Sequence, residues 1–190
     1  MRTFIAIELP AQIKNKLSEL QELLKESKAD VKWTEPANIH ITLKFLGEID
    51  EDESVKIAGI IEEMAHKSKQ FHIRLFSLGA FPNMELGRVI WVGIDKGDNE
   101  TKSFAKRLDA SLEKLGIPQD KRPFSSHITI GRIKSPLHKD KLAKTFNELK
   151  DYFCGKNIEF TVKKITLFKS APGANGPIYE ALKEANIATA

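Results

Sequence analysis

Cys154 is the only cysteine among 190 residues, so no internal disulfide can close and no cysteine-based zinc site can be built. Long apolar runs are missing as well. The opening MRTFIAIELP carries one positive charge and reaches Glu8 and Pro10 after a brief apolar stretch. That is too short and too acidic for a signal peptide, and no later run reaches the roughly 20 apolar residues that span a bilayer. There is no His-Glu-x-x-His motif, no nucleophile elbow of a serine hydrolase, no low-complexity tract and no long linker. These absences lead to the expectation of a soluble, cytoplasmic chain with no membrane partner.

What remains is an ordinary globular composition, 41% hydrophobic and 29% charged, in a chain long enough for one core or for two small lobes sharing one. A net charge of +4 and a pI near 9.0 suit an anionic ligand such as RNA or a phosphate ester without requiring one. Residues 2–9 alternate as a strand, with Arg2, Phe4, Ala6 and Glu8 on one side. Pro10 suits the first turn of a helix carrying Ile13, Leu17, Leu20 and Leu24. Strands follow at Val31–Trp33 and at HITLKFL. Asp50 reads as the N-cap of a helix with Val55, Ala58, Ile61 and Met64 as its buried stripe. Phe71–Leu78 and Arg88–Ile94 read as strands around the turn FPNMELG, with Trp91 and Val89 toward the core. A third helix carries Phe104, Leu108, Leu112 and Leu115 and ends at Gly116. The strand His127–Ile133, a short helix with Leu142, Phe146 and Leu149, and strands near 157–169 and 177–183 complete the chain. Several strand pairs have no helix between them, so the expected class is α+β with antiparallel sheets, in one domain over 1–190.

The informative pattern is repeated. HITL at 40–43 and HITI at 127–130 stand 87 residues apart, close to half the chain. By strict alternation His40, Thr42 and Lys44 share one strand face opposite Ile41, Leu43 and Phe45, while His127 and Thr129 share a face opposite Ile128 and Ile130. One copy alone would read as a solvated strand face. Two copies in corresponding halves point to an internal duplication in which each half presents one His and one Thr to a shared cleft. Metal binding fits poorly, because no carboxylate accompanies either triplet at ligand spacing. Paired acid–base catalysis fits well: a neutral imidazole takes a proton while a protonated one gives a proton, both near neutral pH. Two hydroxyls between them would hold the oxygens of a tetrahedral anion such as a phosphodiester.

The double H-x-T-x resembles the two-histidine phosphoesterase superfamily. MRTFIAIELP, NIHITLKFLGEI, RVIWVGI, SSHITIGRIK and GPIYEAL together are similar to its RNA 2′,3′-cyclic phosphodiesterase branch, first named 2′-5′ RNA ligase. The chain departs from that pattern at Ser126, where many relatives have proline, and in the loop APGANG. The resemblance implies a bilobal fold with pseudo-two-fold symmetry, antiparallel sheets lining a central cleft and helices outside. It implies RNA ends with a 2′,3′-cyclic phosphate as partner, tRNA fragments included, acted on by a monomer with no cofactor or metal. His127 would be the proton acceptor, His40 the proton donor, and Thr42 and Thr129 the holders of the phosphoryl oxygens. Reversed, the same site would join RNA ends 2′-5′ without ATP. Among supporting residues, Arg132 pairs with phosphate or simply ends a strand outward. Phe4 stacks a base or packs between lobes. Lys44 steers phosphate or is solvated at the rim, and Tyr179 contacts the cleft or the core. His66, His72 and His138 match no motif and read as surface. A non-catalytic RNA- or nucleotide-binding module, and a two-histidine enzyme of small cyclic nucleotides, are the competing readings. A pure binder has no need of two imidazoles.

Overall fold

Pro10 ends the first strand and starts the first helix, because its ring fixes φ near the helical value and its missing N–H is not needed there. The computed structural model describes residues 1–85, 87–174 and 176–189. Leu86 of FPNMELG and Asn175 of APGANG lie outside the described residues. The elements run β1 (Arg2–Glu8), α1 (Ala11–Lys25), β2 (Val31–Trp33), β3 (His40–Glu48), α2 (Glu51–His66), β4 (Phe71–Phe81), β5 (Val89–Ile94), α3 (Asp98–Glu113), β6 (His127–Ile133), α4 (Lys139–Leu149), β7 (Glu159–Val162), β8 (Lys164–Ala171) and β9 (Ile178–Asn186).

Among the described residues these strands form two sheets, in the orders β3-β1-β8-β9 and β2-β6-β5-β4-β7. The ladders between the named strands are antiparallel. Setting β3 against β6, β1 against β5, β8 against β4 and β9 against β7 superposes the two orders. The halves have therefore exchanged strands: β4 follows the first motif but pairs with β5 of the second, and β8 follows the second but pairs with β1 of the first. β2 has no counterpart in the other sheet. One buried apolar cluster runs through both sheets and the helices on them, from Ile5 and Leu17 to Ile128 and Leu167.

Local sequence explains most boundaries and corrects some expectations. Asp50 caps α2 with a reciprocal pair, Glu53 N–H donating to Asp50 Oδ1 at 2.7 Å and Asp50 N–H to Glu53 Oε2 at 2.9 Å. The buried stripe of α2 is Ile57, Ile61, Met64 and Ala65, the i, i+4, i+7, i+8 set. Val55, expected inside, is 71% exposed. α3 buries Phe104, Leu108 and Leu112, but Leu115 lies past its end and is exposed. The expected strand near 157–169 is two strands, β7 in one sheet and β8 in the other. Trp91 does not join the core. Ile90 and Val92 are buried on β5, while Trp91 is half-buried on the opposite face.

Each motif strand contains a bulge at the same place, three residues after its histidine. In β3, Thr42 faces Ala6 and Lys44 faces Ile5, so Leu43 has no partner on β1. In β6, Thr129 faces Trp91 and Gly131 faces Ile90, so Ile130 has none on β5. A bulge shifts the alternation by one residue. His40 and Thr42 therefore face the cleft as expected, but Lys44 turns inward and is 2% exposed, while Phe45 turns outward and is 65% exposed. In the second motif the same shift swings Arg132 onto the cleft face. The carbonyl of Ile130 is not left bare: Gln21 Nε2 donates to it at 2.8 Å and to Thr34 O at 2.9 Å, and Thr34 N–H adds a bond at 3.0 Å. Gln21 is buried on the apolar stripe of α1, the one polar group there.

Replacing Gln21 with Leu leaves that bulge carbonyl short of a donor. It is expected to lower unfolding stability by about 2 kcal/mol, read from the urea midpoint at unchanged m-value; a change under about 0.5 kcal/mol would show that the amide does not brace β6.

Candidate active site

His40 begins β3 and His127 begins β6, one in each sheet, and both line one cleft of about 710 Å³ with Thr42 and Thr129. Each ring is oriented by the carbonyl two residues before it. Asn38 O accepts from His40 Nδ1 at 2.7 Å, and Ser125 O accepts from His127 Nδ1 at 2.7 Å. A carbonyl can only accept, so both rings carry their proton on Nδ1 and turn Nε2 away from the backbone. Thr42 Oγ1 lies 2.9 Å from His40 Nε2. Among the described residues His127 Nε2 has no comparable partner, which leaves its lone pair free in the neutral ring.

Both imidazoles sit on aromatic beds. Phe4 stacks beneath His40 at 4.9 Å between centroids and 29° between planes, and Tyr179 meets its edge at 5.4 Å. Phe81 meets His127 edge-on at 5.1 Å, with Trp91 at 6.5 Å. Gly79 makes room for that indole: a Cβ at Gly79 would lie 2.1 Å from a Trp91 ring atom. Phe4 also packs on Phe168 at 5.2 Å and Tyr179 at 4.8 Å. It is thus a buried support for His40 and presents no open face to a base. The hydroxyl of Tyr179 stays protonated, since burial raises its pKa. Its strand is tied to the first motif by Asn38 Nδ2, which donates to Pro177 O at 2.7 Å.

Burial among these rings disfavours the charged imidazole. It pushes His40 down to about 4 against its Asn38 hydrogen bond, with repulsion from Lys14 and His127 adding to the fall. Burial also lowers His127, helped by the Arg132 guanidinium and opposed by its bond to Ser125. Arg132 is exposed at the cleft wall. Lys44, expected beside His40 and Thr42, lies on the other side of β3. Its ammonium is held by Asp109 Oδ1 at 2.5 Å, Asp120 Oδ1 at 3.0 Å and Pro118 O at 2.9 Å, so it anchors the segment before the second motif instead of meeting a phosphate. Ser126 is buried. His66 and His72 are exposed, and His138 is half-buried before α4. Among the described residues no group of three or more His, Cys, Asp or Glu side chains is placed to hold a metal ion, and no helix is long and apolar enough to cross a membrane.

Asn38, Ser125, Phe81 and Trp91 are parts of the site that the motif does not single out. The two carbonyls are backbone groups and leave no mark on residue type. Phe81 sits where β4 runs three residues past the strand end read at Leu78, in what reads as turn.

Two half-buried imidazoles facing each other across exchanged sheets, each with a threonine two residues on, define a two-histidine phosphoesterase. The family model for LigT-like phosphoesterases matches this chain twice, over residues 7–91 and 92–179, once for each half. The chain is 38% identical over 184 residues to a Methanocaldococcus jannaschii protein named RNA 2′,3′-cyclic phosphodiesterase, covering 97% of this chain and 99% of that one. It is 36% identical over 175 residues to an Aquifex aeolicus protein of the same name, covering 88% and 89%. A crystal structure from Thermus thermophilus shares the fold at a TM-score of 0.81 and 27% identity, over 98% of both chains. E. coli LigT complexed with 3′-AMP shares it at 0.77 and 23%, over 98% and 97%. The chain belongs to the LigT-like phosphoesterase family.

The lowered pKa values predict that both rings are neutral at pH 7. In ¹⁵N-detected NMR titration the His40 ring should gain its second proton only near pH 4. The unfolded chain takes up that proton around 6.5, the ordinary imidazole value, so this contribution to stability is complete above 6.5 and is lost as the pH falls toward 4. A His40 titration at 6.5 or above would contradict the burial described.

Proposed function

We propose that the protein is an RNA 2′,3′-cyclic phosphodiesterase that opens a terminal 2′,3′-cyclic phosphate to a 2′-phosphate. The observation that carries this is the pair of imidazoles on one cleft, each with Nδ1 fixed by a carbonyl and Nε2 turned away from the backbone. The names of its relatives support the substrate class. His127 Nε2 takes a proton from water as the oxygen attacks phosphorus, and His40 Nε2 gives a proton to O3′ as the P–O3′ bond breaks. The unshared lone pair of His127 favours it as the base.

His40 is neutral in the free site, so it needs a proton on substrate binding. The phosphodiester anion supplies the reason, since a negative charge beside a desolvated imidazole raises its pKa. Thr42 and Thr129 bind the non-bridging oxygens as charge builds on them. Phe4 and Tyr179 hold the His40 ring, while Arg132 attracts phosphate at the cleft wall. With a 5′-hydroxyl attacking in place of water, the same proton transfers form a P–O5′ bond as P–O3′ breaks, which leaves a 2′-5′ linkage without ATP. The protein acts as one domain, residues 1–190, a cytoplasmic monomer working on RNA ends such as tRNA fragments.

An RNA ending in a 2′,3′-cyclic phosphate, incubated with the protein and EDTA, should yield a 2′-phosphate with a bell-shaped pH–rate profile. His40→Ala and His127→Ala should each lower kcat about 10³-fold, and Thr42→Val or Thr129→Val about 10- to 100-fold. A 3′-phosphate product, or wild-type turnover in either His variant, would overturn the mechanism.

A further inference from the structure

We propose that the outer edge of the second sheet, β2 with the end of β6, is a subsite for a second phosphate: the one on the 5′ side of the nucleotide bearing the cyclic phosphate. This rests on the RNA-end reading above and deepens it.

Lys32 on β2 lies directly opposite Arg132 on β6. Like charges at directly opposed positions of an antiparallel pair repel and destabilise the ladder. Lys134 follows two residues on, where its N–H extends the ladder to Asp30 O at 2.8 Å. All three cations are exposed and line the same cleft as the two histidines. Among the described residues none of the three makes an ion pair or a side-chain hydrogen bond. Glu35 lines the cleft as well, and among the described residues it takes part in no ion pair. Carboxylates hold some cations of the chain, as at Lys44 with Asp109 and Asp120, Arg74 with Asp95, and Lys164 with Glu8 and Glu184; Arg2, exposed on the facing sheet, also lines the cleft. Lys32, Arg132 and Lys134 thus stand together at one edge of the cleft with no carboxylate paired to them among the described residues.

The pseudo-symmetry shows how specific this arrangement is. The bulges put the residue five after each histidine on the cleft face. In the first motif that residue is Phe45, an exposed ring, and in the second it is Arg132. Among the described residues β2, which brings Lys32, is the one strand without a counterpart in the other sheet. Its close fit on β6 depends on Gly131, where a Cβ would lie 2.9 Å from Val31 and 3.0 Å from Trp33. Arg132 in place of Phe45, and Lys32 brought by β2, both add positive charge to this side of the cleft, while Arg2 lines the other. An RNA end is asymmetric in the same sense: the scissile phosphate lies between the imidazoles, and the chain leaves on one side only, with the next phosphate attached.

The test compares two dinucleotides ending in a 2′,3′-cyclic phosphate, one with a natural phosphodiester linkage and one with an uncharged methylphosphonate. The wild type should favour the charged linkage about tenfold in kcat/KM at low salt. In the double variant Lys32→Gln, Lys134→Gln, which keeps Arg132, this ratio should fall about threefold or more toward one, and the salt slope of log Kd should flatten by about 0.7 for the weakened phosphate contact. Calorimetric binding of the two 2′-phosphate product dinucleotides reads the same ratio without turnover. A wild-type binding ratio near one, or a ratio that the variant keeps, overturns the subsite. Absence of turnover with either dinucleotide overturns the activity instead, while the binding ratio still decides the subsite.

Discussion

The exchange of strands between the two halves is the constraint on which the rest of the structure depends. Neither half can complete a sheet from its own sequence. β1 needs β8 from the far end of the chain, and β5 needs β4 from before it. Once both ladders form, the two motif strands β3 and β6 lie beside β1 and β5 in separate sheets, and their histidines come to one cleft. The ion pairs of buried Lys44 on β3 with Asp109 of α3 and with Asp120 tie the loop before His127 to the first motif. The meeting of the two motifs is therefore a product of long-range pairing, which is why one motif without the other half would be an ordinary exposed strand.

Within that frame the site is set by short-range devices. A carbonyl two residues before each histidine fixes the tautomer, aromatic rings fix the plane, and bulges decide what stands further along each strand. Desolvation by the rings keeps both imidazoles neutral when no anion is present. The arrangement is thus poised to change when a phosphate arrives, because the same low-polarity surroundings magnify its field.

Much of this is legible from sequence. Period-two and period-3.6 patterns locate the strands and helices, and the repeated His-x-Thr locates the site. What alternation does not show is the phase shift at Leu43 and Ile130. A bulge has no required residue, so alternation places Lys44 on the cleft face when it is buried, and Phe45 inside when it is exposed. Nor does composition tell which partner a strand will choose, so the division of residues 157–169 between two sheets is invisible. Phe4 and Trp91 escape a local reading for a related reason: their face is set by distant strands, β8 for one and β6 for the other. Gln21 carries a faint signal, a polar residue on an apolar helix face, whose meaning depends on a carbonyl 109 residues away.

The central claim is that His40 and His127 act as one unit, one taking a proton as the other gives one. A double-mutant cycle on kcat with a cyclic-phosphate RNA tests it most directly. If the two rings serve one concerted step, the variant lacking both should be about as slow as the slower single variant, since the remaining imidazole has no partner to work with. If the two losses multiply, the rings contribute independently and the paired account is contradicted.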